Sequence, residues 1–276
     1  MVETGNPTPR ESNTDSPDLS IVIPAHNEAG RILPYLRQIT DHFATHDRSY
    51  EVLVVDDGST DSTATLVIRF AESAPTVRTI RLPTCRGKGA AVRRGMQEAV
   101  GRLQLFADAD GATPISELVR LEQALALGAD VAIGSRALAA ELPHYCVRTR
   151  RSRSMLGAVF NILVRHSGIE GIADTQCGFK LFKKAAAQEL FPLLSIEGFG
   201  FDLEILHLAR RRGLQIAEIP INWSDQPGSK VSVMKDGFIL LRNLAEVKRN
   251  DRRGRYTPLG SEMVCSEPQR FCKLPD

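Results

Sequence analysis

The chain has 276 residues, of which 42% are hydrophobic and 25% are charged, and its formal net charge is +2. These values are typical of a globular protein with one large domain, or at most two. The net charge is too small to indicate nucleic acid as a partner. The five cysteines follow no disulfide or zinc-ligand spacing, which favours a reducing, cytoplasmic setting: Cys85, Cys146, Cys177, Cys265 and Cys272.

Both ends of the sequence are predicted to lie outside the folded domain. Residues 1–18 are polar and rich in proline, serine and threonine, which indicates a disordered leader rather than a signal peptide. Residues 251–276 lack periodicity and are predicted to form a loose basic tail. No stretch between them approaches the roughly 20 apolar residues that a spanning helix needs. We therefore expect one domain over 19–250 and no integral membrane segment.

The first half of the chain alternates short apolar runs with segments of helical period. Strands are predicted at 19–23, 51–55, 77–81, 103–107 and 130–134, and helices at 29–44, 61–73, 88–99 and 116–127. This alternation predicts an α/β fold, Rossmann-like, in which helices flank a mostly parallel central sheet.

The second half is less regular. A basic helical segment is predicted at 151–166, a strand at 178–182, a helix at 201–212, a strand at 215–221 and a final helix at 236–248. The two basic helices are amphipathic, and we expect them at the periphery of the domain.

The segment "LQLFADADGATP" (103–114) ends an apolar strand with Asp108 and Asp110, separated by Ala109. Ligands of open α/β sheets bind beyond the carboxyl ends of the strands. Two carboxylates at such a place repel each other, which raises the free-energy cost of ionising both. A bound divalent cation removes that cost. Oxygen ligands in a short acidic loop suit Mg²⁺ or Mn²⁺, which proteins commonly share with substrate phosphates.

A glycine-containing segment, "CRGKGAAVRRG" (85–95), begins the third predicted helix. Val92 stands where the dinucleotide motif G-x-G-x-x-G requires its third glycine, and the Walker sequence is absent. What remains is a helix N-terminus with basic side chains, which suits an anionic group. Lys88 is the preferred candidate for that contact.

Eight segments, in this order, resemble the family-two glycosyltransferases of GT-A fold: "SIVIPAHNE", "VVDDGSTDST", "RGKGAAVRRGM", "FADADGATP", "AIGSR", "DTQCGFKLF", "FGFDLEILHLARRRG" and "EIPINWSDQPGSKV". Within the family they are most similar to the polyprenyl-phosphate glycosyltransferases, in particular the dolichyl-phosphate β-glucosyltransferase branch. The resemblance extends from Leu19 to Lys248. It implies inverting transfer of one sugar from a nucleotide diphosphate sugar, with UDP-glucose favoured, to a polyprenyl phosphate.

The resemblance also implies roles for residues of the donor half, 19–136. Asp110 matches the metal ligand, and Asp108 matches the residue that contacts the ribose or supports the metal. Asp57 matches the carboxylate that contacts the base. The loop around the nucleotide is matched by Pro24, Ala25, Glu28 and Ala109.

Residues 137–250 are expected to bind the acceptor, together with Arg136. Asp174 is the preferred catalytic acidic residue of "DTQCGF", and Asp202 is either a wall of the site or a helix-capping residue. Lys230, with Ser229, is expected to form a lid over the phosphates. The basic and apolar segments predict peripheral contact with the cytoplasmic face of a membrane.

Alternative functions stay open on the sequence alone. The first is a family-two transferase with a soluble acceptor, because many relatives that use lipid acceptors carry a transmembrane helix. The second is a nucleotidyltransferase that makes sugar nucleotides, which ranks lower because "PAHNEAG" is not the glycine-rich loop of those enzymes. A scaffold that only binds nucleotide sugars would require loss of the acidic set, which is present. The motifs do not indicate an oligomeric state.

Overall fold

The computed structural model describes residues 16–148, 171–226 and 233–256. Strands and helices alternate through the first half, as the sequence predicts. The strands are β1 (Leu19–Ala25), β2 (Tyr50–Asp56), β3 (Val77–Arg81), β4 (Leu103–Ala107), β5 (Val131–Ser135), β6 (Val147–Arg148), β7 (Phe179–Lys183), β8 (Ile216–Pro220) and β9 (Trp223–Ser224).

The α-helices of the described residues are α1 (Ile32–Ala44), α2 (Thr63–Ser73), α3 (Lys88–Glu98), α4 (Leu118–Ala126), α5 (Arg136–Ala140), α6 (Lys184–Leu190), α7 (Phe201–Arg211) and α8 (Val233–Arg252). Short 3₁₀ turns cover Ile115–Glu117 and Phe191–Leu193. Within the described ranges, no helix combines the length and the hydropathy of a membrane span.

Seven strands of the described chain form one sheet in the order β3-β2-β1-β4-β7-β5-β8. All neighbouring strands are parallel except that β7 runs antiparallel to both β4 and β5. The mostly parallel sheet predicted from the sequence is thus confirmed. Because β1, β2 and β4 are parallel neighbours, the loops that follow them lie side by side at one edge.

Two apolar layers cover the sheet, one on each face. Successive residues of β1 alternate between them, with Ile21 and Ile23 in one layer and Val22 in the other. Helix α1 buries Ile32, Leu36 and Ile39 against the first layer, at the spacing of one helical face. Helix α3 lies against the second layer, close enough that a Cβ at Gly95 would overlap Val22.

The antiparallel strand β7 is the feature of the sheet that the sequence pattern did not indicate. It lies between β4 and β5, and it is the strand predicted at 178–182. An apolar run has the same periodicity in either direction, so the pattern predicts a strand without its orientation.

The packed chain continues beyond the boundary expected at residue 250. Helix α8 ends at Arg252, and Tyr256 is 1% exposed, with its hydroxyl donating to Glu204 Oε1 at 2.6 Å. The first part of the predicted tail is therefore anchored by one buried aromatic residue. Most of the predicted leader, the rest of the tail and the basic segment 151–166 lie outside the described residues.

Candidate functional site

The loops that follow β1 and β2 are joined by hydrogen bonds. Asn27 lies in the left-handed region, with a φ of 54°, and its Oδ1 accepts from the backbone amide of Thr60 at 2.8 Å. The Glu28 amide donates to Thr63 Oγ1 at 2.8 Å, while Pro24 and Ala25 are buried at the end of β1. This places the residues predicted to surround the nucleotide at the carboxyl edge of the sheet.

Asp57 connects the β2 loop to the loop after β3. Its carboxylate accepts from the backbone amide of Arg86 at 2.8 Å and from that of Gly87 at 2.7 Å. Gly87 has a φ of 116°, which favours glycine at this turn. Because Asp57 is only 3% exposed, it supports the loop from which Lys88 begins α3. Its predicted contact with the base stays a prediction.

The two aspartates after β4 each face a cationic side chain. Lys88 Nζ lies 2.6 Å from Asp108 Oδ1, and Arg31 Nη1 lies 3.5 Å from Asp110 Oδ2. Burial and then the neighbouring Asp108 charge raise the pKa of Asp110. Burial lowers the pKa of Lys88, but the charges of Asp108 and Asp202 outweigh burial, so the net shift is upward. The site therefore stabilises positive charge.

The donor set at these aspartates fits Mg²⁺ or Mn²⁺. Both side chains are partly exposed, Asp108 by 40% and Asp110 by 21%, and they offer only carboxylate oxygens. Among the described residues, neither belongs to a group of three His, Cys, Asp or Glu ligands close enough to enclose an ion. A Mg²⁺ ion held by one or two carboxylates commonly takes its remaining ligands from water and substrate phosphates.

Strand β7 shapes the position of Asp108. The Asp108 amide donates to the carbonyl oxygen of Gly178 at 3.0 Å. A Cβ at position 178 would overlap the Asp108 carboxylate, so only glycine leaves room for it. Gly178 therefore fixes the position of Asp108 through the antiparallel pairing of β7 with β4.

Arg136 and Asp174 form a bidentate ion pair at the start of α5. Arg136 Nε donates to Asp174 Oδ2 at 2.6 Å and Nη2 donates to Oδ1 at 2.8 Å, while the Arg136 amide also donates to Oδ2 at 3.0 Å. Burial raises the pKa of Asp174, but the Arg136 charge and hydrogen bonds outweigh burial, so the pKa lies below its usual range. A carboxylate with a lowered pKa is a weak base. The geometry favours an orienting role.

The surroundings of this pair fix both partners. Glu218 accepts from the backbone amides of Ala173 at 2.8 Å and Asp174 at 2.7 Å. The Arg136 guanidinium carbon lies 5.4 Å from the centroid of the Trp223 ring, within the range of a cation–π contact. Arg136 is 32% exposed, so a ligand can reach it.

Asp202 and Lys180 form a second ion pair, which lies deeper. Asp202 is 1% exposed in the first turn of α7, and Lys180 on β7 is fully buried. Lys180 Nζ donates to Asp202 Oδ1 and, at 2.6 Å, to the carbonyl oxygen of Cys177. Sequence reasoning missed Lys180, because a lysine within "GFKLF" is ordinarily a surface residue of an edge strand. The signal in the sequence that could have indicated a buried lysine was a charged residue inside an apolar strand.

Two predicted features lie outside the described residues: the lid formed by Ser229 and Lys230, and the basic segment 151–166. The described residues bring together the predicted donor set, and they place Arg136 and Asp174 after β5 and before β7.

The sequence of the chain is similar to those of known glycosyltransferases. Residues 20–191 match the family model "Glycosyl transferase family 2". A dolichyl-phosphate beta-glucosyltransferase of Dictyostelium discoideum is 35% identical over 263 residues, which cover 90% of this chain and 77% of the relative. The enzyme of that name from Drosophila melanogaster is 40% identical over 236 residues, covering 79% of this chain and 71% of the relative.

Solved structures share the fold at low identity. Mannosyl-3-phosphoglycerate synthase from Rubrobacter xylanophilus superposes with a TM-score of 0.64 at 20% identity, covering 90% of this chain and 79% of that one. Glucosyl-3-phosphoglycerate synthase from Mycobacterium tuberculosis, in complex with Mn²⁺, UDP-glucose and phosphoglyceric acid, gives a TM-score of 0.63 at 18% identity, covering 84% and 79%. The sheet order, the family match over most of the domain and these relatives agree: the chain is a GT-A-fold enzyme that belongs to glycosyltransferase family 2.

Proposed function

We propose that this glycosyltransferase moves glucose from UDP-glucose to dolichyl phosphate or a related polyprenyl phosphate, with inversion. The observation that carries the proposal is the pair Asp108 and Asp110 at the end of β4, faced by Lys88 and Arg31. That site suits a diphosphate, and relatives at 35% and 40% identity carry the name dolichyl-phosphate beta-glucosyltransferase.

On the donor side, Asp110 and Asp108 would hold Mg²⁺ or Mn²⁺, which when bound neutralises charge on the leaving diphosphate. We infer that Lys88, the first residue of α3, contacts the diphosphate directly, because its ammonium lies 2.6 Å from Asp108 Oδ1. A fold neighbour that was crystallised with Mn²⁺ and UDP-glucose supports the choice of donor and ion.

On the acceptor side, a phosphate oxygen of the carrier attacks the anomeric carbon of glucose. The bond from that carbon to the oxygen of the β-phosphate breaks, and its electron pair leaves with UDP. A phosphomonoester has a second pKa of about 6, so the acceptor is largely dianionic at neutral pH and needs no strong base. We infer that Arg136, which Asp174 orients, is the cation that binds it, and the bidentate ion pair supports this role.

The lipid acceptor places the enzyme at a membrane surface, and we propose the cytoplasmic face. Support comes from the exposed basic side chains at the end of α8, where Lys248, Arg249, Arg252 and Arg253 lie together. Each basic residue near an anionic leaflet contributes on the order of 1 kcal/mol.

The test is an assay with radiolabelled UDP-glucose, UDP-GlcNAc and GDP-mannose in turn, with polyprenyl phosphate and Mg²⁺ or Mn²⁺, followed by organic extraction. We expect label from UDP-glucose in the organic phase and little from the other donors. Label that never enters the organic phase with any donor contradicts the lipid acceptor. Release of UDP with a soluble acceptor would then favour a family-two transferase with a non-lipid acceptor.

A further inference from the structure

Three consecutive loops at the edge of the sheet bring together a histidine, an aspartate and a cysteine. His26 follows β1, Asp57 follows β2 and Cys85 follows β3, and these strands are neighbours in the order β3-β2-β1. One ligand atom from each lies within 4.8 Å of the others. In the part of the chain that the structure describes, no other group of three such side chains is this close.

The three side chains are oriented before any ion arrives. His26 Nδ1 lies 2.7 Å from the carbonyl oxygen of Asp57, and Nε2 lies 3.2 Å from Asn27 Nδ2, so an ion that binds the ring replaces one of these contacts while the other orients the ring. Cys85 Sγ donates to Asp57 Oδ2 at 3.4 Å. Metal sites use such hydrogen bonds to orient their ligands.

The donor set differs in chemical type from the aspartate pair after β4. One imidazole nitrogen, one carboxylate oxygen and one sulfur suit a borderline-soft cation, whereas oxygen alone suits Mg²⁺ and Mn²⁺. Zn²⁺ binds with four tetrahedral ligands, and three protein ligands leave one position open. We propose that His26, Asp57 and Cys85 form a second cation site, selective for Zn²⁺-like ions over Mg²⁺.

Cys85 is exposed and its Sγ lies 3.4 Å from Asp57 Oδ2, so an ion reaches the three donors without rearrangement of the core. A cation that binds the thiolate displaces the thiol proton.

The location gives the site a consequence that rests on the proposed function. Asp57 is the residue expected to contact the base of the nucleotide, and an ion that draws on its carboxylate competes with that contact. Zn²⁺ should then weaken binding of UDP-glucose, and additional Mg²⁺ should not restore it, because the two ions bind different donor sets.

The binding test uses the full chain with Co²⁺ as a spectroscopic probe, in the presence of excess Mg²⁺. We expect a thiolate-to-cobalt charge-transfer band that saturates at one equivalent and is displaced by Zn²⁺. Cys85→Ser should abolish the band and weaken Zn²⁺ binding by at least about tenfold. Loss of a residue that only supports a metal ligand already weakens binding by about this factor, and loss of the ligand itself should cost no less. Cys146→Ser, which removes another exposed free thiol, should leave both unchanged.

Two results would overturn the site: no saturating band in the unaltered chain, or a band of equal strength in Cys85→Ser. His26→Gln provides a second variant, expected to weaken Zn²⁺ binding while leaving the thiol present. To test competition with the nucleotide, the cobalt band is measured while Mg²⁺-saturated UDP is added. Mg²⁺-saturated pyrophosphate is the control, because it chelates metal but lacks the base. If the band depends on Cys85, the cation site is supported. If UDP and pyrophosphate then change the band equally, the role of Asp57 in nucleotide binding is contradicted.

Discussion

Lys180 and Asp202 form an ion pair inside the apolar layer between the sheet and α7. The Lys180 ammonium also lies 5.1 Å from the centroid of the Phe106 ring. Burial raises the pKa of Asp202, and the charges of Lys180 and Lys88 oppose that shift without cancelling it. The pair is thus electrostatically coupled to Lys88, whose ammonium binds Asp108.

Breaking this pair is expected to destabilise the fold. Lys180→Met or Asp202→Asn leaves one polar partner buried alone, which costs about 3 to 5 kcal/mol. The measurement is the free energy of unfolding from urea denaturation. The double variant Lys180→Met with Asp202→Leu should recover most of that stability, since buried pairs are often replaced by apolar residues at little cost.

The same double variant tests a positioning role. Without the Asp202 charge, Lys88 loses one of the groups that stabilise its cation, so we expect a raised KM for the donor and a smaller change in kcat. Wild-type kinetic constants in a stable double variant would show that the pair serves the fold alone.

Asp110→Asn should remove a ligand of the divalent cation that we propose. Charge stabilisation by a metal is worth several kcal/mol, so transfer should fall by about 100-fold or more. Isothermal titration should show weaker binding of Mn²⁺ in the presence of UDP. Asp41→Asn, at an exposed carboxylate of α1, is the control and should retain activity. Equal activity in both variants contradicts the assignment of Asp110.

Gly178→Ala should disturb Asp108 specifically. The new Cβ overlaps the Asp108 carboxylate, while the backbone bond from the Asp108 amide to Gly178 can persist. We expect a clear fall in kcat/KM with only a small change in the melting temperature. Gly198→Ala is the matched control, because a Cβ there meets nothing within 4 Å. The hypothesis fails if both variants lose activity to the same extent.

The ion pair of Asp174 with Arg136 predicts a pH dependence of stability. The pKa of Asp174 in the folded protein lies below its usual value of 3.8, so the carboxylate stabilises the fold above that pH. This contribution is lost as the pH falls through the folded-state pKa. Asp174→Asn should therefore be less stable than the unaltered chain at neutral pH, and the difference should shrink below 3.8. Urea denaturation across this range measures it, and a difference independent of pH contradicts the linkage.

The basic end of α8 predicts binding to anionic membranes. Removing two charges in Lys248→Gln with Arg252→Gln should lower affinity for phosphatidylserine vesicles by roughly fivefold per charge. Vesicle sedimentation at low and physiological salt gives the measurement. Arg37→Gln with Arg69→Gln removes the same charge from exposed positions on α1 and α2 and should have a smaller effect. Equal losses in both pairs would point to net charge rather than to a docking surface.

The sequence by itself determined the order of strands and helices in the first half. It also indicated the acidic pair Asp108 and Asp110, because apolar periodicity and like charges after a strand are local features. Asp57 and Lys88 were separate expectations, the first implied by the family resemblance and the second by the basic N-terminus of a predicted helix.

Only the tertiary structure decided which side chains meet. The antiparallel course of β7 brings Gly178 against Asp108 and buries Lys180 against Asp202. Strand direction depends on pairing with distant segments, which the period of a single strand does not encode. For the same reason the cysteine spacing gave no sign of Cys85 beside His26. Those residues are 59 positions apart in the chain and adjacent only because β1 and β3 flank β2 in the sheet.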